Sequence, residues 1–128
     1  MTATTIVTYA ADRVALLPLF RLADDSDREI ESYLQRGTVL VAVEGDEVVG
    51  HVQIVDTDVR ATCELKSMAV IAARRGQGLG RRLIEAGLAY PRERGATRVV
   101  IATTRFASST YLALKGAFDV FCSKVSRL

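Results

Sequence analysis

The most chemically informative stretch of the sequence is a glycine-rich turn flanked by arginines, Arg74-Arg75-Gly76-Gln77-Gly78-Leu79-Gly80-Arg81-Arg82. It follows an apolar segment typical of a strand and opens a segment typical of a helix. Backbone N–H groups at a helix start have no partner within the helix and lie at the positive end of its dipole. Glycines leave room for an anion against these groups. The pattern predicts a pyrophosphate site, with a plain glycine-rich connection as the alternative.

Two phosphate-binding motifs do not fit this turn. A P-loop requires Lys followed by Ser or Thr after its last glycine, and Arg81-Arg82 stands there instead. The dinucleotide-binding motif requires a third glycine three residues after the second, and that position is Arg81 or Leu83, depending on the glycine from which one counts. It also requires an acidic residue at the end of the next strand, where Ala102-Thr103-Thr104 is found. The sequence therefore argues against both classes of nucleotide-binding protein.

The run Arg75-Gly76-Gln77-Gly78-Leu79-Gly80, directly after Met68-Ala69-Val70, resembles the acyl-CoA-binding R-x-x-G-x-G motif of the GNAT superfamily of N-acetyltransferases. The resemblance implies that amides of the turn hold the pyrophosphate of acetyl-CoA and that the preceding strand hydrogen-bonds the pantetheine arm. It also implies direct transfer of the acetyl group, in a ternary complex, to a primary amine of a small molecule or a protein. The cofactor-binding residues that it implies are Met68, Ala69, Val70, Arg75, Gly76, Gln77, Gly78, Leu79, Gly80 and Arg81.

The family often protonates the departing thiolate with a tyrosine on its last helix, and Tyr111 is the tyrosine available there. The surrounding match is imperfect, because Gly116-Ala117-Phe118 aligns with the family's Gly-Phe ending on either its glycine or its phenylalanine. The first alignment leaves Tyr111 one residue from the expected place, and the second puts Ala113 there. The family's asparagine falls on Thr104 or Arg105. A half-buried structural tyrosine is the alternative for Tyr111.

Glu64 is the residue expected to accept the proton of the amine, since several family members use a glutamate on this strand. A period of two residues places Glu64, Lys66, Met68 and Val70 on one face of the strand. The backbone amides of residues 68–70 are the expected donors to the oxyanion. The alternative for Glu64 is a cross-strand ion pair with a neighbouring cation.

His51, in the third predicted strand, shares a face with Gln53 and Val55, and we interpret it as a structural residue rather than a base. Acidic residues cluster at the connection between the first two predicted helices, which in the family borders the acceptor site. We interpret them as helix-capping and solvated groups, with attraction of a polycationic amine as the alternative. These residues are Asp24, Asp25, Asp27, Glu29 and Glu31.

The composition bounds the possible classes of protein. A chain of 128 residues is expected to form one domain, residues 1–128, and a net charge of +2 gives no support to nucleic-acid binding. No segment is apolar for long enough to span a bilayer, and the start lacks the features of a signal peptide, so we expect a cytoplasmic protein that does not bind membranes. Cys63 and Cys122 are interpreted as buried thiols in strands, and no metal site is predicted.

The predicted order of elements is β-α-α-β-β-β-α-β-α-β, which matches the GNAT layout. That layout is an α/β (α+β) fold whose mixed, mostly antiparallel central sheet is flanked by helices and opens between its fourth and fifth strands to admit the cofactor. Pro18 is expected to kink or split the first helix, and Gly37 and Gly95 to end the second and third. The last helix is predicted over about residues 107–115, and the last strand over residues 117–122.

Family members usually have another strand after the final helix, and this sequence is short at its C-terminus, ending at Leu128. A second copy of the chain that covers the free strand edge predicts a homodimer. The same feature, with the altered asparagine, leaves a non-catalytic acyl-CoA-binding or regulatory module as the alternative to an enzyme. The acceptor depends on loop shapes and on the two leading helices, since a fold does not fix a function.

Overall fold

The structure is a computed structural model that describes residues 3–101 and 119–122. The predicted helix near residues 107–115, and Tyr111 with it, lies outside the described residues. Short 3-10 helices at Arg13–Leu16 and Ala72–Arg74 precede the first α-helix and the glycine-rich turn. The α-helices are α1 (Leu17–Ala23), α2 (Asp27–Tyr33) and α3 (Leu79–Glu93). The strands are β1 (Thr4–Thr8), β2 (Thr38–Glu44), β3 (Glu47–Asp56), β4 (Thr62–Val70), β5 (Arg98–Ile101) and β6 (Asp119–Cys122).

The strands form one six-stranded sheet in the order β1-β2-β3-β4-β5-β6. The pairs from β1 to β4 are antiparallel, whereas β5 pairs parallel with β4 and β6 parallel with β5. The parallel step from β4 to β5 requires a crossover, and α3 provides it. The predicted mixed, mostly antiparallel sheet is confirmed, as is the order of the elements within the described residues.

The first two helices begin and end where local sequence signals place them. Pro18 lies in the first turn of α1 and the residues before it form a 3-10 helix, so the predicted split is confirmed. The Ser26 side chain caps α2 by accepting a hydrogen bond from Glu29 N at 3.2 Å. Gly37, with φ +59°, then turns the chain from α2 into β2.

An apolar core lies on each face of the sheet. Helices α1 and α2 cover one face, where Phe20 and Ile30 are buried, and α3 covers the other, where Leu83 is buried. We call these the α1/α2 face and the α3 face. The helix α3 approaches β3 closely, because a Cβ on Gly87 would lie 3.1 Å from a methyl group of Val52. Glycine at this position lets the helix pack directly on β3, the strand that pairs with β4.

Strand β4 contains one more residue than the part of β3 that it pairs with. Gln53 pairs with Ser67 and Ile54 pairs with Leu65, so that Lys66 forms a β-bulge. A bulge bends the strand and changes which face its later residues occupy. The bulge lies at the middle of β4, four residues from either end of the strand.

Because of the bulge, the side chains of β4 do not all lie on the faces of the sheet that strict alternation predicts. Met68 and Val70 pack with the core on the α3 face. Glu64 and Lys66 lie on the α1/α2 face, where the Lys66 ammonium contacts the Tyr33 ring and the Glu64 carboxylate. The prediction that Glu64, Lys66, Met68 and Val70 share one face is therefore wrong. Strict alternation assumes an unbroken ladder, and the extra residue moves the later side chains to the opposite face.

Candidate active site

The turn between β4 and α3 allows a ligand to approach the backbone closely. Gly76 and Gly78 have φ +77° and +81°, in the left-handed region that other residues rarely adopt. A Cβ at either position would meet no atom of the described residues within 4 Å. The backbone conformation therefore favours glycine here, and the described residues leave the space beside the turn open to a ligand.

The main-chain amides of this turn have no hydrogen-bond acceptor among the described residues. Gly78 is the N-cap of α3 without a side-chain cap, and the hydrogen bond that starts the helix runs from Arg82 N to Gly78 O at 3.2 Å. Within residues 3–101 and 119–122, no acceptor is hydrogen-bonded to the amides from Gly76 to Arg81. Consecutive unpaired amides at the positive end of a 15-residue helix favour an anion.

The arginines around the turn have partners of their own. Arg74 Nε donates to Glu44 Oε2 at 2.9 Å, and this hydrogen bond lowers the pKa of Glu44. Arg75 Nε donates to Val70 O at 3.2 Å and so ties the end of β4 to the turn. Arg81 pairs with a glutamate one turn further along α3, at 3.1 Å. The side chains hold positive charge around the turn, while the amides are left to bind a ligand.

Strand β4 extends beyond its pairing with β5. The parallel ladder joins residues 62–65 to Arg98–Ile101, and residues 66–70 have no β5 partner in the described part of the chain. In an antiparallel pair, alternate residues point their N–H and C=O groups away from the partner strand. The segment from Met68 to Val70 therefore offers main-chain groups on its β5 side to an extended ligand.

Opposite charges lie on the α1/α2 face of β4 at the bulge. Lys66 Nζ is 3.9 Å from Glu64 Oε2, and the two side chains are 28% and 19% exposed. Lys66 Nζ also lies 5.1 Å from the centroid of the Tyr33 ring. Tyr33 OH in turn donates to Asp24 Oδ2 at 2.8 Å. Glu64 thus has an ion pair with a neighbouring cation, within the strand rather than across it.

The family model described as "Acetyltransferase (GNAT) family" matches residues 9–110 of the sequence. The chain belongs to the GNAT family of acetyltransferases. The family indicated by the glycine-rich motif is thereby confirmed, and the protein is an acetyltransferase by family. No curated protein matches the sequence.

Solved structures of acetyltransferases share the fold of this GNAT chain. An IAA acetyltransferase from Bacillus cereus is 28% identical, with a TM-score of 0.74, over 90% of this chain and 75% of that one. An acetyltransferase from Bacillus subtilis, in complex with CoA, is 27% identical, with a TM-score of 0.74, over 90% and 74%. A GNAT family acetyltransferase from Elizabethkingia anophelis, with acetyl-CoA bound, is 27% identical, with a TM-score of 0.74, over 89% and 73%.

His51 is buried in β3 of this acetyltransferase and cannot act as its base. Its ring stacks on Phe20 with centroids 4.3 Å apart, and its Nε2 lies 2.8 Å from Ser67 Oγ. Burial lowers the pKa of His51 to about 3, so the imidazole is neutral at physiological pH. A general base needs a pKa nearer the operating pH. The structure agrees with the interpretation of His51 as a structural residue.

Two of the acidic residues at the connection between α1 and α2 have partners within the protein. Asp24 accepts hydrogen bonds from Ser26 N at 3.0 Å and from Tyr33 OH at 2.8 Å. Asp27 Oδ1 lies 3.0 Å from Arg21 Nε. These contacts favour the interpretation that the cluster caps and solvates a helix start.

The sequence reasoning did not single out Ser67 or Tyr33. Ser67 is the partner of His51, and Tyr33 contacts Lys66 through its ring. In the sequence, Tyr33 belongs to the apolar stripe of α2 and Ser67 is a small polar residue in an apolar strand. His51 is the signal that points to Ser67, because a histidine buried in a sheet needs a hydrogen-bonding partner on a neighbouring strand.

Cys63 of this GNAT chain is a buried free thiol in β4. Burial raises the pKa of Cys63 to about 11, so the reactive thiolate is scarce at physiological pH. In residues 3–101 and 119–122, no group of His, Cys, Asp or Glu side chains is arranged to hold a metal ion. No helix in that part of the chain is long and apolar enough to cross a membrane.

Proposed function

We propose that this GNAT acetyltransferase transfers the acetyl group of acetyl-CoA to a primary amine by direct attack within a ternary complex. The observation that carries the proposal is the run of unpaired amides from Gly76 to Arg81, which opens α3 after a strand segment without a β5 partner. Relatives 27% identical to this chain that are solved with CoA or acetyl-CoA support CoA as the ligand of the turn.

The turn fits the pyrophosphate of CoA in shape and in charge. Gly76 and Gly78 keep the backbone accessible, and α3 has no side-chain cap that would compete for its first amides. In the segment formed by Met68, Ala69 and Val70, the main-chain groups that face away from β3 would hydrogen-bond the amides of the pantetheine arm as an added strand does. The residues that we assign to the turn itself are Arg75, Gly76, Gln77, Gly78, Leu79, Gly80 and Arg81.

An incoming ammonium group first gives one proton to the chain, which frees the lone pair of its nitrogen. A bond then forms between this nitrogen and the thioester carbonyl carbon, the carbon–sulfur bond breaks, the nitrogen loses a second proton and the sulfur gains one. The chain must therefore accept a proton, stabilise negative charge on the carbonyl oxygen and donate a proton. We assign the stabilisation of negative charge to the main-chain amides of residues 68–70 that face away from β3. Side chains there can vary, because a main-chain donor does not depend on residue type.

Glu64 is the residue that we assign to proton acceptance. Its carboxylate lies on the α1/α2 face, beside the point where the β5 ladder ends. Its distance of 3.9 Å from Lys66 Nζ is longer than a hydrogen bond, so the carboxylate keeps lone pairs for an incoming ammonium group or a bridging water. Proton donation to the thiolate is assigned to Tyr111 from the sequence resemblance alone.

Titration with CoA, followed by a thiol-release assay on a panel of amines, tests the proposal. The panel contains small primary amines, amino acids and peptides, and the expected result is CoA binding with thiol release from at least one of them. CoA binding without thiol release from any amine would indicate the non-catalytic acyl-CoA-binding module instead. A protein that does not bind CoA would contradict the proposal at its first step.

A further inference from the structure

We infer that the acceptor is a free amino acid whose carboxylate is held by Lys66 while its amine faces Glu64. This inference rests on the proposed function and names the substrate class of the same site. The inference is based on the two opposite charges at the β4 bulge, the Lys66 ammonium and the Glu64 carboxylate. A free amino acid is complementary to them, because it bears a carboxylate and an ammonium group on the same α-carbon. Lys66 is then a specificity-determining residue.

Among the described residues, the hydrogen-bonding capacity of these two charged groups is incompletely satisfied. Lys66 Nζ and Glu64 Oε2 are 3.9 Å apart, and the side chains are only 28% and 19% exposed. In the described part of the chain, neither group forms a hydrogen bond with another residue. An ammonium group has three N–H donors, and a carboxylate accepts several hydrogen bonds. A ligand that supplies both opposite charges would satisfy this capacity.

The local structure positions the ammonium group of Lys66 beside the strand. Lys66 is the bulged residue, and it directly precedes Ser67. Ser67 is held in place by its 2.8 Å contact with the buried His51. The Tyr33 ring lies 5.1 Å from the Lys66 ammonium on the other side. The ammonium therefore lies over an aromatic ring and beside a carboxylate at the unpaired part of β4.

The same arrangement discriminates against other amines. A polyamine would bring a second positive charge towards Lys66, which opposes binding. The N-terminus of a protein carries an amide beside its amine, and the amine of a lysine side chain follows a chain of methylene groups. Neither supplies an anion to Lys66. A free amino acid supplies a cation to Glu64 and an anion to Lys66, and both can face side-chain charges 3.9 Å apart.

Paired acceptors test this inference. Each of the common L-amino acids is compared with its carboxamide, which has the same amine and side chain but no carboxylate. For at least one pair, CoA release from the amino acid should be faster by at least about tenfold in kcat/KM, as for a charge-assisted hydrogen bond in a partly exposed site. Lys66→Met should abolish this preference through the KM for the amino acid, and Lys66→Arg should retain it.

Arg60→Met is the matched control. It removes a positive charge from the exposed turn before β4, roughly 20 Å from Lys66 along the strand, and should leave the preference unchanged. Thermal unfolding of each variant separates a lost contact from a lost fold. If Lys66→Met fails to fold, the ratio of amino acid to carboxamide rates in Lys66→Arg and in the wild type still decides the question.

The outcomes separate this inference from the proposed function. Equal rates for amino acids and carboxamides, or a preference that survives Lys66→Met, would overturn the inference while the acetyltransferase activity stands. Equilibrium binding of amino acids in the presence of CoA gives a second readout. If no amine releases CoA, the proposed function fails. In that case, amino acid binding that depends on Lys66 would support the assignment of Lys66 and Glu64 as an amino acid site without acetyl transfer, and the absence of such binding would overturn that assignment as well.

Discussion

Replacing Gly78 with aspartate should weaken CoA binding roughly a hundredfold or more without unfolding the protein. Gly78 is the N-cap of α3 with φ +81°, and a Cβ there would meet no atom of the described residues within 4 Å. The new side chain would project into the space where we place the pyrophosphate. Its carboxylate would accept hydrogen bonds from the same amides and repel the ligand's charge.

The size of the effect follows from Coulomb's law. A carboxylate about 5 Å from one phosphate charge, at an effective dielectric constant of about 40, opposes binding by about 1.7 kcal/mol. Two phosphate charges double this to about 3 kcal/mol, which weakens binding roughly a hundredfold or more. The left-handed backbone costs aspartate about 1 to 2 kcal/mol, and a negative charge at a helix N-terminus returns about 0.5 kcal/mol, so the fold should survive.

Matched variants separate charge from backbone cost. Gly78→Ala carries a similar backbone cost without the charge and should keep most of the affinity for CoA. Gly95→Asp places a carboxylate at another left-handed glycine, with φ +95° and no atom within 4 Å of its Cβ, beyond the opposite end of α3. Calorimetric titration with CoA measures all the variants. Wild-type affinity in Gly78→Asp, or an equal loss in Gly95→Asp, would refute the assignment of the turn.

The remaining predictions concern proton transfer and pH. Glu64→Gln should lower kcat by about a hundredfold or more, with the free energy of unfolding changed by less than about 1 kcal/mol, and a change in stability alone would leave Glu64 as an ion-pair residue. Tyr111→Phe should lower turnover at least about tenfold with little change in the KM for acetyl-CoA, and unchanged turnover would remove Tyr111 from the mechanism. The pKa of His51 is lowered from 6.5 to about 3 by folding, so the unfolded chain binds this proton first as the pH falls. Stability from the neutral imidazole is therefore complete above pH 6.5 and falls below it by about 1.4 kcal/mol per pH unit, which denaturant unfolding between about pH 7 and pH 5 measures. The chain has 1 histidine, so a flat profile in this range would contradict a buried, neutral His51.

Local signals in the sequence predicted much of the fold. Ser26 and Glu29 marked the start of α2 because a capping hydrogen bond joins residues only three positions apart. Pro18 marked the split before α1 because its ring fixes the backbone wherever it occurs. The glycine-rich turn could also be predicted locally, because glycine adopts the positive φ angles of residues 76 and 78 more readily than other residues do.

The arrangement of β4 could not be predicted in the same way. The bulge at Lys66 is a property of the register between β3 and β4, which arises only when the two strands pair. A single extra residue was enough to place Met68 and Glu64 on opposite faces of the sheet. The contact between Lys66 and Tyr33 likewise joins segments that are far apart in the sequence. Periodicity describes one strand, and the site depends on how several elements meet.

Amide resonances of isotopically labelled protein during a titration with CoA test the central claim most directly. The claim is that the unpaired amides of the turn bind the pyrophosphate of CoA. The resonances of residues 76–81 should therefore show the largest chemical-shift changes, and these changes should saturate together with the heat of binding. Gly45, a left-handed glycine with φ +62° in the turn between β2 and β3, should not move. Saturable CoA binding that leaves the amides of residues 76–81 unshifted would contradict the claim.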